Sequence, residues 1–592
     1  MQVNKKVLSG NEAIAHAAWV AGVRVASAYP GTPSTEILEN VANFKDDIYC
    51  EWAVNEKVGM EVVIGASFAG ARSLTAMKHV GLNVALDPLM TFAYVGANGG
   101  VVIISADDPG MHSSQNEQDN RYLAKFAKVP MLEPADSQEC YDMTQTALDL
   151  SEELRTPVIV RTTTRISHSS GIVDLGDFKR REPTELKYAK DIERRVPVPM
   201  FARKMRLALE EKQQEFARRA ENSPYQRIER GDDRIGIITS GIAYQYAREA
   251  FPEASILKLG MTFPIPRQLI SDFALSVGKL YIIEEGEPYL EEQILAMGIK
   301  ITQPKTNLRI GELNPNRLEA LAAEIAGQPA PKVAHQMDGL PARPPVLCPG
   351  CSHRGVFYAL NRLKATVTGD IGCYSLGAFP PLSAMDTIVC MGASVGNAHG
   401  MRKAGHEGRV AAVIGDSTFF HSGITGLLNV VYNQGTSTTI VLDNRTTAMT
   451  GHQDHPGTGR TLMGAQTVET KVEDVAAGLG VKRVRVIDPY DLEETYNVLK
   501  EELDTPEASV VVSKMACVLG AKIKVTRQYT IPADACKGCG MCLKIGCPAI
   551  EVGDPDPNNP KLKKARINPV LCVGCGMCAQ LCKFGAIVEA VI

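Results

Sequence analysis

Eight of the chain's 15 cysteines fall in its last 57 residues, in two runs, ACKGCGMCLKIGCPA (Ala535 to Ala549) and CVGCGMCAQLC (Cys572 to Cys582). A segment of under 70 residues, from about Thr526 onward, seldom holds together on an apolar core alone, so these cysteines are expected to stabilise it as well as to serve a function. The opening MQVNKKVLSGNEAIAHAAW has no continuous apolar stretch of the signal-peptide kind, and no later stretch offers about 18 uninterrupted apolar residues for a membrane span. A reducing cytoplasm is therefore expected, where crowded cysteines read as thiolate ligands rather than disulfides. CxxCxxC places three thiolates on one tight turn, which favours an iron-sulfur cubane; a pair of zinc sites is the alternative. The first run carries four residues before its last cysteine, one more than the usual iron-sulfur spacing.

At 592 residues the chain exceeds what one core can hold, and roughly one domain per 150 residues predicts about four. A formal net charge of -4 gives no reason to expect nucleic acid or a membrane surface as partner. From Asn11, helix-like and strand-like segments alternate, as in RVASAYP, DIYCEWAV, RSLTAMK and VVIISA, and this predicts open parallel sheets whose ligands bind where strands give way to helices. The expected units are 1–178, a charge-dense connector with a solvated helix over 179–230, a short α/β unit over 231–326, a proline-rich linker over 327–345, a third α/β unit over 346–519, and the cysteine-rich tail, 526–592.

The segment GDSTFFHSGITGLLNVVYNQGTSTTIVLDNRTTAMTG, residues 415 to 451, resembles the thiamine diphosphate motif, GDG followed some two dozen residues later by NN. On that resemblance Asp416, the Asn444 side chain and the Thr446 backbone carbonyl hold Mg2+, the cofactor's diphosphate completes its shell, and Gly415 permits close approach. Ser417 and Asp443 depart from the pattern without removing a ligand. Thiamine chemistry also needs an acid beside the aminopyrimidine. Glu56, in CEWAVNEKVGMEVV, matches the activating glutamate of pyrimidine-binding domains, against the plainer reading of a surface Glu at a helix N-terminus.

The tail resembles the bacterial ferredoxin module with two 4Fe-4S clusters. The resemblance implies crossed ligation: Cys536, Cys539, Cys542 and Cys582 on one cluster, Cys572, Cys575, Cys578 and Cys547 on the other. Because Cys547 then serves the other cluster, the extra residue leaves the CxxCxxC chelate intact. With YPGTPSTEI, EWAVNEK, MKHVGLNVALDP, DDPGMHSSQNEQDNR, CPGCSHR, DIGCYSLG and DNRTTAMTGHQ, the whole chain resembles the 2-oxoacid ferredoxin oxidoreductases. That family decarboxylates a 2-oxoacid on thiamine diphosphate, oxidises the product in two one-electron steps and releases an acyl-CoA, with CoA as co-substrate and a soluble ferredoxin as acceptor.

The fold implied is α/β and multidomain: doubly wound parallel sheets for thiamine diphosphate (the pyrimidine unit at 1–178, the diphosphate unit at 346–519), a transketolase-C-terminal-like unit at 231–326, and a C-terminal bacterial-ferredoxin-like α+β domain. No segment remains for the family's smaller catalytic unit, so a separate small subunit is expected, in an assembly of two large and two small chains. Thr32 matches a threonine placed near the substrate, or else caps a helix before Pro33, and His112 to Gln115 are expected to line the same cavity. Met449 stands where pyruvate-using relatives carry asparagine, which points to a larger, apolar arylpyruvate. Cys348, Cys351, Cys373 and Cys517 resemble the four cysteines of a third 4Fe-4S cluster near thiamine. Cys50, Cys140 and Cys390 read as buried small residues, and His353 and His421 either approach the cofactor or sit hydrogen-bonded in the core. Another 2-oxoacid as substrate, a non-oxidative thiamine decarboxylase or a pure electron-transfer subunit are the other readings.

Overall fold

A computed structural model describes residues 4–176, 178–182, 186, 188, 190–329, 340–341, 344–521, 525–556 and 559–590. Most of the proline-rich segment 327–345 thus lies outside the described residues. The chain divides into two compact units, Met1–Asp338 and Gly339–Ile592. No helix among the described residues is long and apolar enough to cross a membrane.

In the first unit a seven-stranded sheet runs in the order Met261–Phe263, Met131–Leu132, Val158–Thr163, Val101–Asp107, Ser73–Lys78, Val25–Ala28, Tyr49–Trp52. All its pairings are parallel except at the Met261–Phe263 edge. Every residue of VVIISAD, Val101–Asp107, is buried, as a strand covered by helices on both faces requires. A second sheet, Lys279–Ile283, Asp232–Ser240, Ala254–Leu259, Arg227–Glu229, occupies the region expected as a separate short unit. That region is tied to the first sheet: Met261–Phe263 leaves it to pair antiparallel with Met131–Leu132. Buried charge adds to the tie through Arg121, which pairs with Asp119 at 2.5 Å and with Glu284 at 2.8 Å, while Arg161 pairs within the first-sheet region, with Asp107 at 2.7 Å and Glu133 at 2.6 Å.

The charged stretch contains a 23-residue helix, Pro199–Glu221, that is not solvated all round, since Met205, Leu209, Phe216 and Ala220 are buried along one face.

The second unit holds a six-stranded parallel sheet, Thr387–Ile388, Thr366–Gly369, Val410–Gly415, Thr438–Asp443, Ser509–Lys514, Arg483–Ile487. The tail adds two antiparallel pairs, Gln528–Thr530 with Val588–Ala590 and Ile550–Asp556 with Asn559–Ile567. Its apolar residues do not form a core of their own: Ile545, Ile550, Met577, Leu581 and Ile587 share one cluster with Phe357, Leu360 and Leu499. The segment TIVCMG is a strand only at Thr387–Ile388, and Cys390 beyond it is exposed, a correction to its expected burial. Cys50 and Cys140 are buried.

Candidate functional site

The strand Val410–Gly415 delivers Asp416 to the C-terminal edge of the sheet, where the next strand, Thr438–Asp443, delivers Asn444. The Asp416 carboxylate, 3% exposed, accepts from three backbone amides, Ser417 at 2.8 Å, Asn444 at 3.1 Å and Arg445 at 2.8 Å. Burial alone would raise its pKa, but His455 and these amides hold it below the usual carboxylate value. Burial, and then the charge of Asp416, push Asp443 up to about 6. Asn444 Oδ1 accepts from the Thr446 amide at 3.2 Å, so Asp416, Asn444 and Thr446 form one knot of oxygen donors. Ser417 Oγ accepts from Thr447 Oγ1 at 3.0 Å. What needs the absent side chain of Gly415 is the Tyr374 ring: a Cβ there would lie 2.7 Å from Tyr374 Cε1.

His353 and His455 approach this knot, and His421 follows Asp416 in the chain. His353 is buried, edge-on to Tyr374 with its Nε2 3.4 Å from Asn444 Nδ2, and burial lowers its pKa to about 4, which keeps it neutral. His421, also buried, lies in a π-helical turn, Phe419–Gly423, a geometry frequent at functional sites. His455 was not singled out by sequence reasoning. Its Nδ1 accepts the Gly457 amide at 3.1 Å, which places the proton on Nε2, and that atom lies 3.2 Å from Asp416 Oδ2 outside hydrogen-bond geometry. A buried carboxylate and an amide oxygen at strand ends, with an imidazole N–H 3.2 Å from that carboxylate, fit a magnesium diphosphate group.

The cysteines gather in three sets. Cys348, Cys351, Cys373 and Cys517 line one cavity of about 100 Å3, bordered also by His353, Asn444, Ala448 and His452. In the tail, Cys536, Cys539, Cys542 and Cys582 line a second, of about 20 Å3. Cys575, Cys547 and Cys572 lie within electrostatic reach of Cys578, followed by Cys542 of the first run. The structure therefore brings Cys582 to the first run and Cys547 to the second.

Burial pushes Cys351 up to about 12 and Cys373 up to about 11, so these thiols become thiolates only against a cation, as coordination supplies. Sulfurs also accept amides, Cys536 from Gly538 and Ala565 and Cys582 from Ala586, in the manner that tunes cluster ligands. Among the described residues no three His, Cys, Asp or Glu side chains surround a single ion-sized centre. A cubane's four thiolates sit wider than a zinc shell of about 2.3 Å bonds.

In the first unit Glu56 opens the helix Glu56–Phe68, capped by Asn55, and is 6% exposed rather than on the surface. Its carboxyl occupies space that Gly81 vacates: a Cβ on Gly81 would meet Glu56 Oε1 at 2.7 Å. Lys78, passed over in the sequence, ends the strand Ser73–Lys78 with its stem against Gly31 and its Nζ donating to Ser113 O at 2.6 Å. Burial lowers its pKa to about 8, against the opposing charges of Asp108 and Glu56. Thr32, half-buried in the loop before the helix Thr35–Val41, is not its N-cap, which is Ser34. His112 is exposed and lies 3.2 Å from Glu312, while Ser113 and Ser114 bond the Asp108 carboxylate at 2.9 and 2.6 Å. Met449 is 47% exposed in the turn Ala448–Thr450 and does not border the cysteine cavity.

Residues 16–229 match the family described as pyruvate flavodoxin/ferredoxin oxidoreductase, thiamine diphosphate-binding. Residues 370–513 match the C-terminal TPP-binding domain of thiamine pyrophosphate enzymes, and residues 565–588 a 4Fe-4S binding domain. The indolepyruvate oxidoreductase subunit IorA of Pyrococcus abyssi is 41% identical over 98% of this chain and 96% of its own. The protein of that description from Archaeoglobus fulgidus is 40% identical over 99% and 98%. The 2-oxoglutarate synthase subunit KorA of Methanothermobacter thermautotrophicus is 26% identical over 49% of this chain and 91% of its own.

Proposed function

The chain belongs to the 2-oxoacid ferredoxin oxidoreductases, in the family of the indolepyruvate oxidoreductase subunit IorA, and from that membership we propose that it oxidises an arylpyruvate such as indolepyruvate. CoA takes the acyl group, giving an arylacetyl-CoA and CO2, and a soluble ferredoxin takes the electrons. Thiamine diphosphate, when bound, supplies the carbon nucleophile and the electron sink for decarboxylation. Asp416, Asn444 and the Thr446 carbonyl would hold Mg2+ for the diphosphate. Glu56, buried at its helix start, would hydrogen-bond the aminopyrimidine ring. Thr32 and Lys78 stand on the same loop side of the first unit as Glu56, where a 2-oxoacid's polar end is oriented.

The observation that carries the oxidative reading is that Cys348, Cys351, Cys373 and Cys517 share one cavity with Asn444, a residue of the magnesium knot. A third 4Fe-4S cluster held there gives electrons an outlet beside the diphosphate site, and the two tail clusters extend it. A non-oxidative decarboxylase has no use for this arrangement. The working enzyme is two of these chains with two small catalytic subunits.

Anaerobic co-expression with the small partner, followed by viologen reduction with indolepyruvate, phenylpyruvate, pyruvate and 2-oxoglutarate, each with and without CoA, tests this. Arylpyruvates should be preferred and CoA required; aldehyde release without viologen reduction would refute it. Reconstituted large subunit should carry about twelve irons, falling to about eight in Cys348→Ser; about eight in the unsubstituted chain would remove the third cluster.

A further inference from the structure

Arg354, in the first turn of the helix His353–Leu363, is 2% exposed. Among the described residues its guanidinium donates only to backbone carbonyls: Nε to Cys348 O at 3.1 Å, Nη1 to Ile545 O at 3.2 Å and Gly546 O at 2.5 Å, and Nη2 to Leu347 O. Among the described residues no carboxylate pairs with it, whereas the equally buried Arg121 and Arg161 are matched by Asp119, Glu284, Asp107 and Glu133. Burying a cation without a counter-ion is costly, and carbonyl dipoles offset that cost only in part. The titratable groups within electrostatic reach of Arg354 are the adjacent His353 and thiols of two different sets, Cys547 and Cys575 of the tail and Cys351 and Cys348 of the inner cavity.

The two sets adjoin at this point. A Cβ on Gly350 would lie 2.1 Å from Val573 Cγ2 and 3.8 Å from Cys575 Cβ, and Tyr490 Oη donates to Gly350 O at 2.7 Å. The Cys536, Cys539, Cys542 and Cys582 cavity includes neither Arg354 nor Gly350 in its lining.

We propose that Arg354 is the shared counter-charge of the two inner clusters, those of Cys348, Cys351, Cys373 and Cys517 and of Cys547, Cys572, Cys575 and Cys578, and that it favours the reduced form of both. This rests on the three-cluster reading above. Each transfer moves one electron and breaks no bond. The receiving cluster gains one negative charge, the donor loses one, Arg354 keeps its proton throughout, and external ferredoxin is the final oxidant. A fixed positive charge at low dielectric lowers the energy of that added electron, so electrons pause on the inner pair before reaching the outer cluster. The helix places this charge; Arg354 is a positioning residue, touching no reacting atom.

Anaerobically purified full-length chain, unsubstituted, Arg354→Gln and Arg354→Lys, would be titrated by potentiometry with EPR detection and assayed for iron. Arg354→Gln at full iron should move both inner midpoints to more negative potential and leave the outer one in place. Arg354→Lys, which keeps the charge but reaches fewer carbonyls, should stay near the unsubstituted values. Unchanged inner midpoints in Arg354→Gln at full iron would overturn the inference alone. If Arg354→Gln does not load iron, Arg354→Lys decides: retained midpoints support a charge effect, and midpoints shifted negative overturn it. About eight irons in the unsubstituted chain would overturn the three-cluster reading itself.

Discussion

Replacing Gly81 by alanine would press a methyl group against the acid on which thiamine activation is proposed to depend. The new Cβ would stand 2.7 Å from Glu56 Oε1, 2.8 Å from Cγ and 3.0 Å from Cδ, where ordinary contact begins at 3.4 Å. The Glu56 side chain must therefore retreat by about 0.7 Å at Oε1, and because it is a side chain and not backbone, it can. Removing a helical glycine gains roughly 0.5–1 kcal/mol, and a strained Glu56 rotamer costs about as much, so stability should hardly change. Function should change: about 1 Å of misplacement at a reacting group costs on the order of 10²-fold, so about 0.7 Å predicts a turnover loss of roughly 10- to 100-fold. The assay is viologen reduction at saturating thiamine diphosphate beside a thermal melt, with Gly65→Ala as control, since nothing lies within 4 Å of a Cβ there. Full turnover in Gly81→Ala with an unchanged melt would refute the reasoning.

Glu285 is 5% exposed, its Oε1 accepts the Leu313 amide at 2.8 Å, its Oε2 has no hydrogen-bond partner among the described residues, and burial pushes its pKa up to about 7. A folded pKa above the unfolded value of about 4.3 means the folded state binds the extra proton, so this contribution is complete at low pH and is lost as pH rises through about 7. Glu285→Gln should be more stable than the unsubstituted chain at pH 8, by roughly 1–3 kcal/mol, and little different at pH 5; parallel melting-versus-pH curves would contradict this. Met449→Asn should raise pyruvate turnover relative to arylpyruvate, and an unchanged ratio in the same viologen assay would remove Met449 from the substrate argument.

The α/β class, the parallel sheets and the ferredoxin-like tail were legible because local patterns encode them. VVIISAD is apolar throughout because both faces of its strand are covered, and CxxCxxC is a chelate whatever surrounds it. What was not legible depends on residues far apart in sequence. Met261–Phe263 joins the first sheet only because the chain returns to its edge, and one face of Pro199–Glu221 is buried by a surface that no local charge pattern reveals. Cys390 reads as apolar yet is exposed, because its strand ends at Ile388. His455 reaches Asp416 from 39 residues away in sequence, and Arg354 meets Gly546 across 192. By itself the sequence determined which donors exist and how tightly each short run can chelate. Tertiary structure decided which donors meet, Cys582 with the first tail run and Cys348 with Cys517, because a burial-driven core selects long-range neighbours that spacing cannot specify.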